Sequence, residues 1–462
     1  MSALEDFLQV ELGDKRLTKR LVRIVEGLSP DPAVSLPDAA RSEAELEGTY
    51  RFLGNERVTP QGILAPHYAA TSRRAQEAGV VLCAHDTTEF SFSTERDGLG
   101  RMNDLGCGFS AHIALALGAD ESRSPLGVLN LLTHVRRNAP RKNKHSERIP
   151  VKERESYRWR ESVDAVEDHL RDHAAVVHLL DSEADAYLLL DHMLSRGARF
   201  VVRATHNRKV LSEGATREPL DEVLGRLEGV FEREVPVSVR TSRGQGRRRN
   251  LNRDARVARL SFCASRVTLN APKREKAPSK RIALNVVHVR ELDVPMGAEP
   301  VDWKLYTTEA VDSPANIARV VDFYRARWRI EELFKALKTG CAFERRQLES
   351  LSTLENALAI FLPIACDLLA LRSLARSDPT RPARQVLPAL VLLLLQRHPR
   401  TTLRSDANVR DAMLAVARFG GHIKNNGEPG WIVLGRGYER VLTLAEGMSI
   451  RNGSRRKDVI NP

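Results

Sequence analysis

The sequence predicts an α/β fold carrying an all-β insertion, with a helical segment at each end. Three observations predict it. Between residues 79 and 203, short apolar runs alternate with amphipathic stretches, the pattern of a partly parallel sheet covered by helices. Residues 207–300 change to a period of two, broken by basic turns. Both ends of the chain show helical periodicity. With 462 residues the chain exceeds one ordinary core, and three regions are expected: 1–65, 66–375 and 376–462.

Residues 1–65 read as short helices. Asp14 can cap a turn ahead of Lys15, Arg16, Lys19, Arg20 and Arg23. Ser42-Glu-Ala-Glu45 has the form of a capping box, and the helix after it carries Tyr50, Arg51 and Phe52. Gly79 to His85 is a buried strand ending on Asp86. Ile113–Leu117 and Leu126–Leu132 are further strands, and Val151–Arg171 is a charged helix. Val176–Leu180 forms a second apolar strand ending on Asp181, followed by helical Ala184–Leu194 and the strand Arg199–Arg203. In the insertion, Val235, Val237 and Val239 alternate, and Pro236 places that strand at an edge. Val257–Leu269 and Ile282–Val289 are strands, with basic turns at Arg243–Arg249 and Lys273–Lys276. Trp303–Thr308 returns to the core as a strand, and a long helix runs from about Pro314 to Lys338. Residues 354–376 form an apolar helix, and the helical tail ends in the basic cluster Arg455-Arg-Lys457.

Composition narrows the function. Hydrophobic residues make up 42%, enough for a sizeable core, and the net charge of +12 favours a polyanionic partner, nucleic acid first. Cys83, Cys107, Cys263, Cys341 and Cys366 are widely spaced, with no pattern of a zinc site or disulfide framework, which fits a reducing cytoplasm. The opening residues are acidic and lack the form of a signal peptide. Apolar runs such as Leu387–Leu395 are too short to span a bilayer, so no membrane is expected.

Ligands of α/β sheets sit at the carboxyl ends of strands, which makes Asp86 and Asp181 candidate site residues. A lone aspartate there ordinarily caps the next turn. The long helix says more. At about 100° per residue, Tyr324, Arg327, Glu331 and Lys338 project within a sector of roughly 60°, beside the apolar stripe of Phe323, Ile330, Leu333, Phe334 and Leu337. Glu332 projects away, which selects Glu331. Arg325, Arg329, Glu332 and Lys335 read as a solvated face of ion pairs. Three carboxylates from separate segments suit hard cations, and can hold two Mg²⁺ ions about 3.5–4 Å apart, with Mn²⁺ as a substitute. Arg327, Lys338 and Tyr324 would then contact phosphates around a scissile bond.

The motif Tyr324-x-x-Arg327-x-x-x-Glu331-x-x-x-x-x-x-Lys338, with Asp86-Thr-Thr and Asp181-Ser-Glu-Ala-Asp185, resembles bacterial DDE transposases of the cut-and-paste insertion-sequence type. Leu12-Gly-Asp14, Tyr50-Arg-Phe52, Phe200-Val-Val-Arg203 and Ala417-Arg-Phe-Gly-Gly421 extend the resemblance over nearly the whole chain. It implies a ribonuclease H-like catalytic core with a β insertion, an N-terminal module that binds the transposon end, and a C-terminal dimerisation region. It implies double-stranded DNA as partner, both transposon end and target, and a homodimer bridging two ends in a nucleoid-associated cytoplasmic complex. Cleavage through a DNA hairpin would use a tryptophan that stacks a flipped base, and Trp303 stands at the matching distance before Tyr324. By position, Arg20, Arg51, Arg203, His206 and Arg208 would contact DNA.

Two positions depart from the pattern. Ser182 replaces an arginine, and Asp293-Val-Pro-Met296 does not align with the segment that expels the base. Two other readings stay open: a catalytically silent DNA-binding regulator of transposase descent, and a nuclease of the same core without strand transfer.

Overall fold

The computed structural model describes residues 3–28, 34–102, 106–136, 157–211, 217–237, 255–273, 277–387, 389–401, 403–423 and 428–430, with a few more between 433 and 444. The expected turn at 243–249, residues 274–276, the helix start at 151–156, Val239 and the cluster at 455–457 lie outside the described residues.

Five helices open the chain: α1 (Ala3–Phe7), α2 (Lys15–Leu28), α3 (Leu36–Ala39), α4 (Glu43–Leu53) and α5 (Pro60–Ala78). Asp14 accepts the Arg16 N–H at 2.8 Å, as its position before α2 suggests. Ser42 caps α4 by accepting the Glu45 N–H at 3.3 Å. Glu45 turns instead to the Arg41 N–H at 2.9 Å, so the capping box is half formed.

One mixed sheet follows, built from β1 (Val80–Phe92), β2 (Gly100–Arg101), β3 (Cys107–Gly118), β4 (Pro125–His134), β5 (Ala175–Leu180) and β6 (Arg199–Arg203). Helices α6 (Tyr157–Leu170) and α7 (Tyr187–Ser195) flank β5 in sequence. The insertion adds β7 (Lys209–Leu211), β8 (Arg217–Pro219), α8 (Leu220–Gly225), β9 (Phe231–Val237), β10 (Arg256–Asn270) and β11 (Arg281–Glu291) before β12 (Asp302–Thr307). The strand order is β2-β3-β1-β5-β6-β12-β11-β10-β7-β8, with β4 on β3 and β9 on β10. β5 lies parallel to both β1 and β6, while β3, β4 and β12 run antiparallel to their partners. This mixed core is consistent with a ribonuclease H-like arrangement.

The insertion is not all-β. Leu220, Val223 and Leu224, at helical spacing, bury one face of α8. Nor is it a separate layer. β11 pairs with β12, and β12 pairs with β6, so the insertion extends the central sheet. Pro236 sits on β9, which among the described residues pairs with β10 alone, at the edge its missing N–H requires.

After β12 come α9 (Pro314–Ala326), α10 (Arg329–Lys335), α11 (Leu351–Ser377), α12 (Ala389–Arg397) and α13 (Val409–Phe419). The expected single helix to Lys338 is therefore interrupted. Backbone bonds of the i→i+3 kind tighten it at Arg327 and Trp328, and a π turn underwinds it at Ala336–Gly340. By length and composition α11 could cross a membrane, longer than any apolar run expected from sequence, but 78% of its most apolar window is buried in the fold. A helix apolar on all sides is stable when surrounded by core.

The largest core joins the N-terminal helices, one face of the sheet, and α9 to α11. α5 runs across residue 65, where a domain boundary was expected. Polar ties reinforce the junction. His67 on α5 contacts Asp6 at 2.7 Å, and the Asn356 amide on α11 donates to the carbonyls of Leu53 and Val58 at 2.9 and 3.1 Å. The tail helices α12 and α13 form a smaller core with the end of α11.

Candidate active site

Parallel pairing of β1 with β5 ends at Ala84 opposite Leu179. Extending that register by two residues sets Asp86 level with Asp181. Asp86 is not the end of its strand, however. β1 runs on to Phe92, paired with β3 throughout, and Asp86 faces Ile113. What ends there is the neighbour β5, so one side of Asp86 is left open by the sheet. β5 pairs with β6 in the register Leu180 opposite Val202, which brings Arg203 level with Asp181.

Each aspartate also makes the local bond its position invites. Asp86 Oδ1 accepts the Thr87 N–H, and Asp181 Oδ1 accepts the Glu183 N–H, both at 2.8 Å. Capping and site roles thus coexist in one carboxylate. The second oxygen of Asp86 takes the Arg327 guanidinium at 2.5 Å. Burial pushes the Asp86 carboxyl up to about 6; Arg327 opposes this, and the charges of Asp181 and Glu331 add to it. Asp181 at the end of β5 and Glu331 on α10 are therefore near enough to Asp86 on β1 to oppose its ionisation. Burial opposes the charge of Arg327, but Tyr324, Asp86 and Asp181 raise its pKa above the ordinary guanidinium value.

Tyr324 is buried, with the Arg327 guanidinium 5.9 Å from its ring centre. Its ring meets Trp303 edge-on at 5.7 Å. Trp303 is the second residue of β12, half-buried and packed against the main core. Glu331 and Lys338 line an open groove with Thr87, Thr88, Arg136, Arg158 and Lys335. Asp86 and Asp181 are not on that lining, and Glu331 is where groove and aspartates meet. Lys335, expected on the solvated face, lines the groove as well. Glu332 is bound by Arg329 and Arg376, each at 2.9 Å, and ties α10 to α11. Glu331 and Glu332 thus have different surroundings, the groove for one and two arginines for the other.

The remaining expected contacts divide. Arg203 and His206 lie on and just after β6, with His206 exposed. Arg208 is held by buried Asp185 at 2.7 Å, and Asp185 also accepts the backbone N–H groups of Thr205 and His206. Arg208 therefore braces this turn. Arg20 and Arg51 sit on α2 and α4 in the N-terminal helices; Arg51 is exposed and paired with Glu47. Sequence reasoning missed Arg158 on α6. Its Nε donates to Thr87 Oγ1 at 3.0 Å, and another nitrogen reaches Glu183 at 2.7 Å, bridging the segments that follow both aspartates. No motif signals it, because the contact joins three segments distant in sequence.

The donor set fits a divalent cation. Three carboxylates gathered around a buried member, which burial and its neighbours push toward neutrality, form a site that a hard cation would relieve. Fold and site together define a mixed α/β protein with neighbouring carboxylates beside a groove lined by charges of both signs. Two family models match the chain. One described as transposase DNA-binding covers residues 2–58, and one described as transposase DDE domain covers residues 111–362. The second spans more than half of the sequence: the chain belongs to the DDE transposase family, whose catalytic domains depend on divalent metal. That match contains Asp181 and Glu331 and begins after Asp86, so Asp86 rests on its geometry. Among solved structures, the chain is similar to the piggyBac transposase in its synaptic complex with hairpin DNA, determined by cryo-electron microscopy. Identity is 10% and the TM-score 0.30, over 64% of this chain and 48% of that one, about half its length.

Proposed function

We propose that this chain cleaves DNA at transposon ends and joins the freed 3′ ends to target DNA, as a member of the insertion-sequence group with the Tyr-Arg-Glu-Lys signature. The convergence of Asp86, Asp181 and Glu331, with Arg327 already on Asp86, carries this reading. The three carboxylates would hold Mg²⁺, or Mn²⁺ in its place, in two ions. Such ions supply a Lewis acid for the scissile phosphate and raise the acidity of the attacking hydroxyl. Arg327 and Lys338 bind the phosphate oxygens on either side of the break, and buried Tyr324 fixes the approach of Arg327. Arg158 holds Thr87 and Glu183, and through them the spacing of the two aspartates. Trp303 stacks a flipped base on a hairpin route. The protein acts as a homodimer on two ends, the N-terminal helices gripping end DNA through the exposed face of α2.

The test uses a duplex taken from inverted repeats flanking the reading frame, 5′-labelled on the strand whose 3′ end is transferred, with a supercoiled plasmid and Mg²⁺. Label should move onto the plasmid as nicked and linear products. Cleavage without transfer would make the chain a nuclease, and binding without cleavage would make it a silent regulator.

A further inference from the structure

Beneath the two aspartates lies a cluster that the reaction does not use. Cys83 and His85 alternate on β1 and so share one face of the sheet, and His178 on β5 is the register partner of Cys83. All three side chains are fully buried. The sulfur and one nitrogen from each ring lie within 4.8 Å of one another. We propose that Cys83, His85 and His178 form a binding site for a borderline-soft divalent ion of the Zn²⁺ class, separate from the carboxylate centre.

The outer partners favour a metal. Ligating histidines usually give their second nitrogen to a carboxylate or another polar group, which fixes the tautomer and aims the ring. Both rings have such a partner, each on α6. His178 Nε2 lies 3.0 Å from Glu167, and His85 Nδ1 lies 2.9 Å from the Ser162 hydroxyl. The nitrogens left over, His85 Nε2 and His178 Nδ1, face each other at 2.9 Å. In a tetrahedral site with Zn–N of about 2.0–2.1 Å, two nitrogens stand roughly 3.3 Å apart, so the rings need to part by about 0.4 Å. Charge also balances. A thiolate at Cys83 and the carboxylate of Glu167 together neutralise a divalent ion in the core. Thiolate and imidazole suit Zn²⁺, whereas the nearby carboxylates suit Mg²⁺.

Without an ion the cluster is a hydrogen-bonded chain in which His178 Nδ1 accepts. Ser162 donates to His85, His85 Nε2–H donates to His178, and His178 Nε2–H donates to Glu167. Loading expels the Cys83 thiol proton to solvent and moves the His85 proton from Nε2 to Nδ1, where it is donated to the Ser162 oxygen. One proton leaves per ion, and nothing is oxidised or reduced. Three protein ligands leave the fourth position to water. The consequence is mechanical. His85 immediately precedes Asp86, and His178 stands shortly before Asp181, so the ion would clamp together the two strands that carry the catalytic pair.

The experiment is titration of the full-length, DNA-free protein with Co²⁺, read by absorption. The expected result is a thiolate-to-metal charge-transfer band in the near ultraviolet, with the visible bands of a four-coordinate ion, that saturates at one equivalent when excess Mg²⁺ occupies the carboxylates. Zn²⁺ should bleach the spectrum and excess Mg²⁺ should not. Asp86→Asn with Asp181→Asn should keep the band, which separates this site from the carboxylate centre. Cys83→Ser should lose it. Should that variant not fold, Glu167→Gln, at the rim of the site, should bind Co²⁺ 10–100-fold more weakly. Folded wild-type protein without the band, a band that survives in Cys83→Ser, or unchanged affinity in Glu167→Gln would each overturn the proposal.

Discussion

Asp86 is held where its ionised form costs stability. Its side chain is 13% exposed, and its carboxyl is pushed up to about 6 by burial and by Asp181 and Glu331, with Arg327 opposing. The folded state therefore holds the Asp86 proton more tightly than the unfolded state does. Stability falls as pH rises from about 4 to about 6, and the penalty is complete above that, on the order of 2–3 kcal/mol. Without divalent ions, Asp86→Asn should unfold at a higher temperature than wild type at pH 7.5, and the difference should vanish by about pH 4. Added Mg²⁺ should then stabilise wild type alone. A variant less stable than wild type at both pH values would show that the carboxylate is a structural group. The two tryptophans near the site offer a second contrast. Trp303 is half-buried against Tyr324, whereas Trp328 is 59% exposed. Trp303→Ala should nick end DNA but accumulate the nicked product with little hairpin, on a denaturing gel of end-labelled DNA, because extruding a base costs a few kcal/mol that stacking offsets. Trp328→Ala should leave the nick-to-hairpin ratio unchanged and cost little stability. Hairpin formed at the wild-type rate by Trp303→Ala would make that residue plain core.

Among the elements, α2 separates DNA binding from folding. Leu21, Ile24, Val25 and Leu28 bury one side of the helix, while Lys15, Arg16, Lys19 and Arg23 remain exposed. Replacing Lys15, Lys19 and Arg23 together by Glu should lower affinity for end DNA at least tenfold by filter binding, with a melting temperature within a few degrees of wild type. Unchanged affinity would place the end-binding surface elsewhere. Deleting residues 1–65 is the poorer test, because it cuts through α5 and strips part of the main core. The elements also show what the sequence revealed and what it hid. Apolar runs leading to Asp86 and Asp181 were legible, since burial on both faces of a parallel strand leaves an uninterrupted hydrophobic stretch. The continuation of β1 to Phe92 was hidden, because Thr87, Thr88, Glu89 and Ser91 break the apolar run that marks the strand. So was the shared sheet of the insertion, which depends on pairing of β11 with β12. Helical projection put Glu331 and Glu332 on different sides, as the structure does, yet it assumed an even helix. The tightening at Arg327 and the π turn at Ala336–Gly340 arise from hydrogen bonding that no residue pattern announces. The cluster of Cys83, His85 and His178 was hidden as well, because His178 joins the other two only through pairing of β1 with β5.

At the scale of the whole molecule, one continuous sheet links the insertion to the strands that hold the aspartates, and one core links the N-terminal helices to the helix bearing Glu331. On the proposed reading, end recognition and chemistry would share one packed frame. The net charge of +12 should make binding strongly salt-dependent. The slope of log affinity against log salt should shrink by about 0.9 for each phosphate contact removed, which the α2 variants can measure. The most direct measurement of the central claim is cleavage of end-labelled transposon-end DNA in Mg²⁺ by wild type, Asp86→Asn, Asp181→Asn, Glu331→Gln and Glu332→Gln, with binding measured on the same DNA. Each of the first three variants should bind with near wild-type affinity and cleave at least a thousandfold more slowly, because the carboxylates hold the cations while other residues hold the phosphates. Glu332→Gln should cleave at close to the wild-type rate and lose about 1 kcal/mol of stability with its arginine pairs. Full cleavage by Asp181→Asn, or loss of cleavage in Glu332→Gln with wild-type activity in Glu331→Gln, would contradict the account.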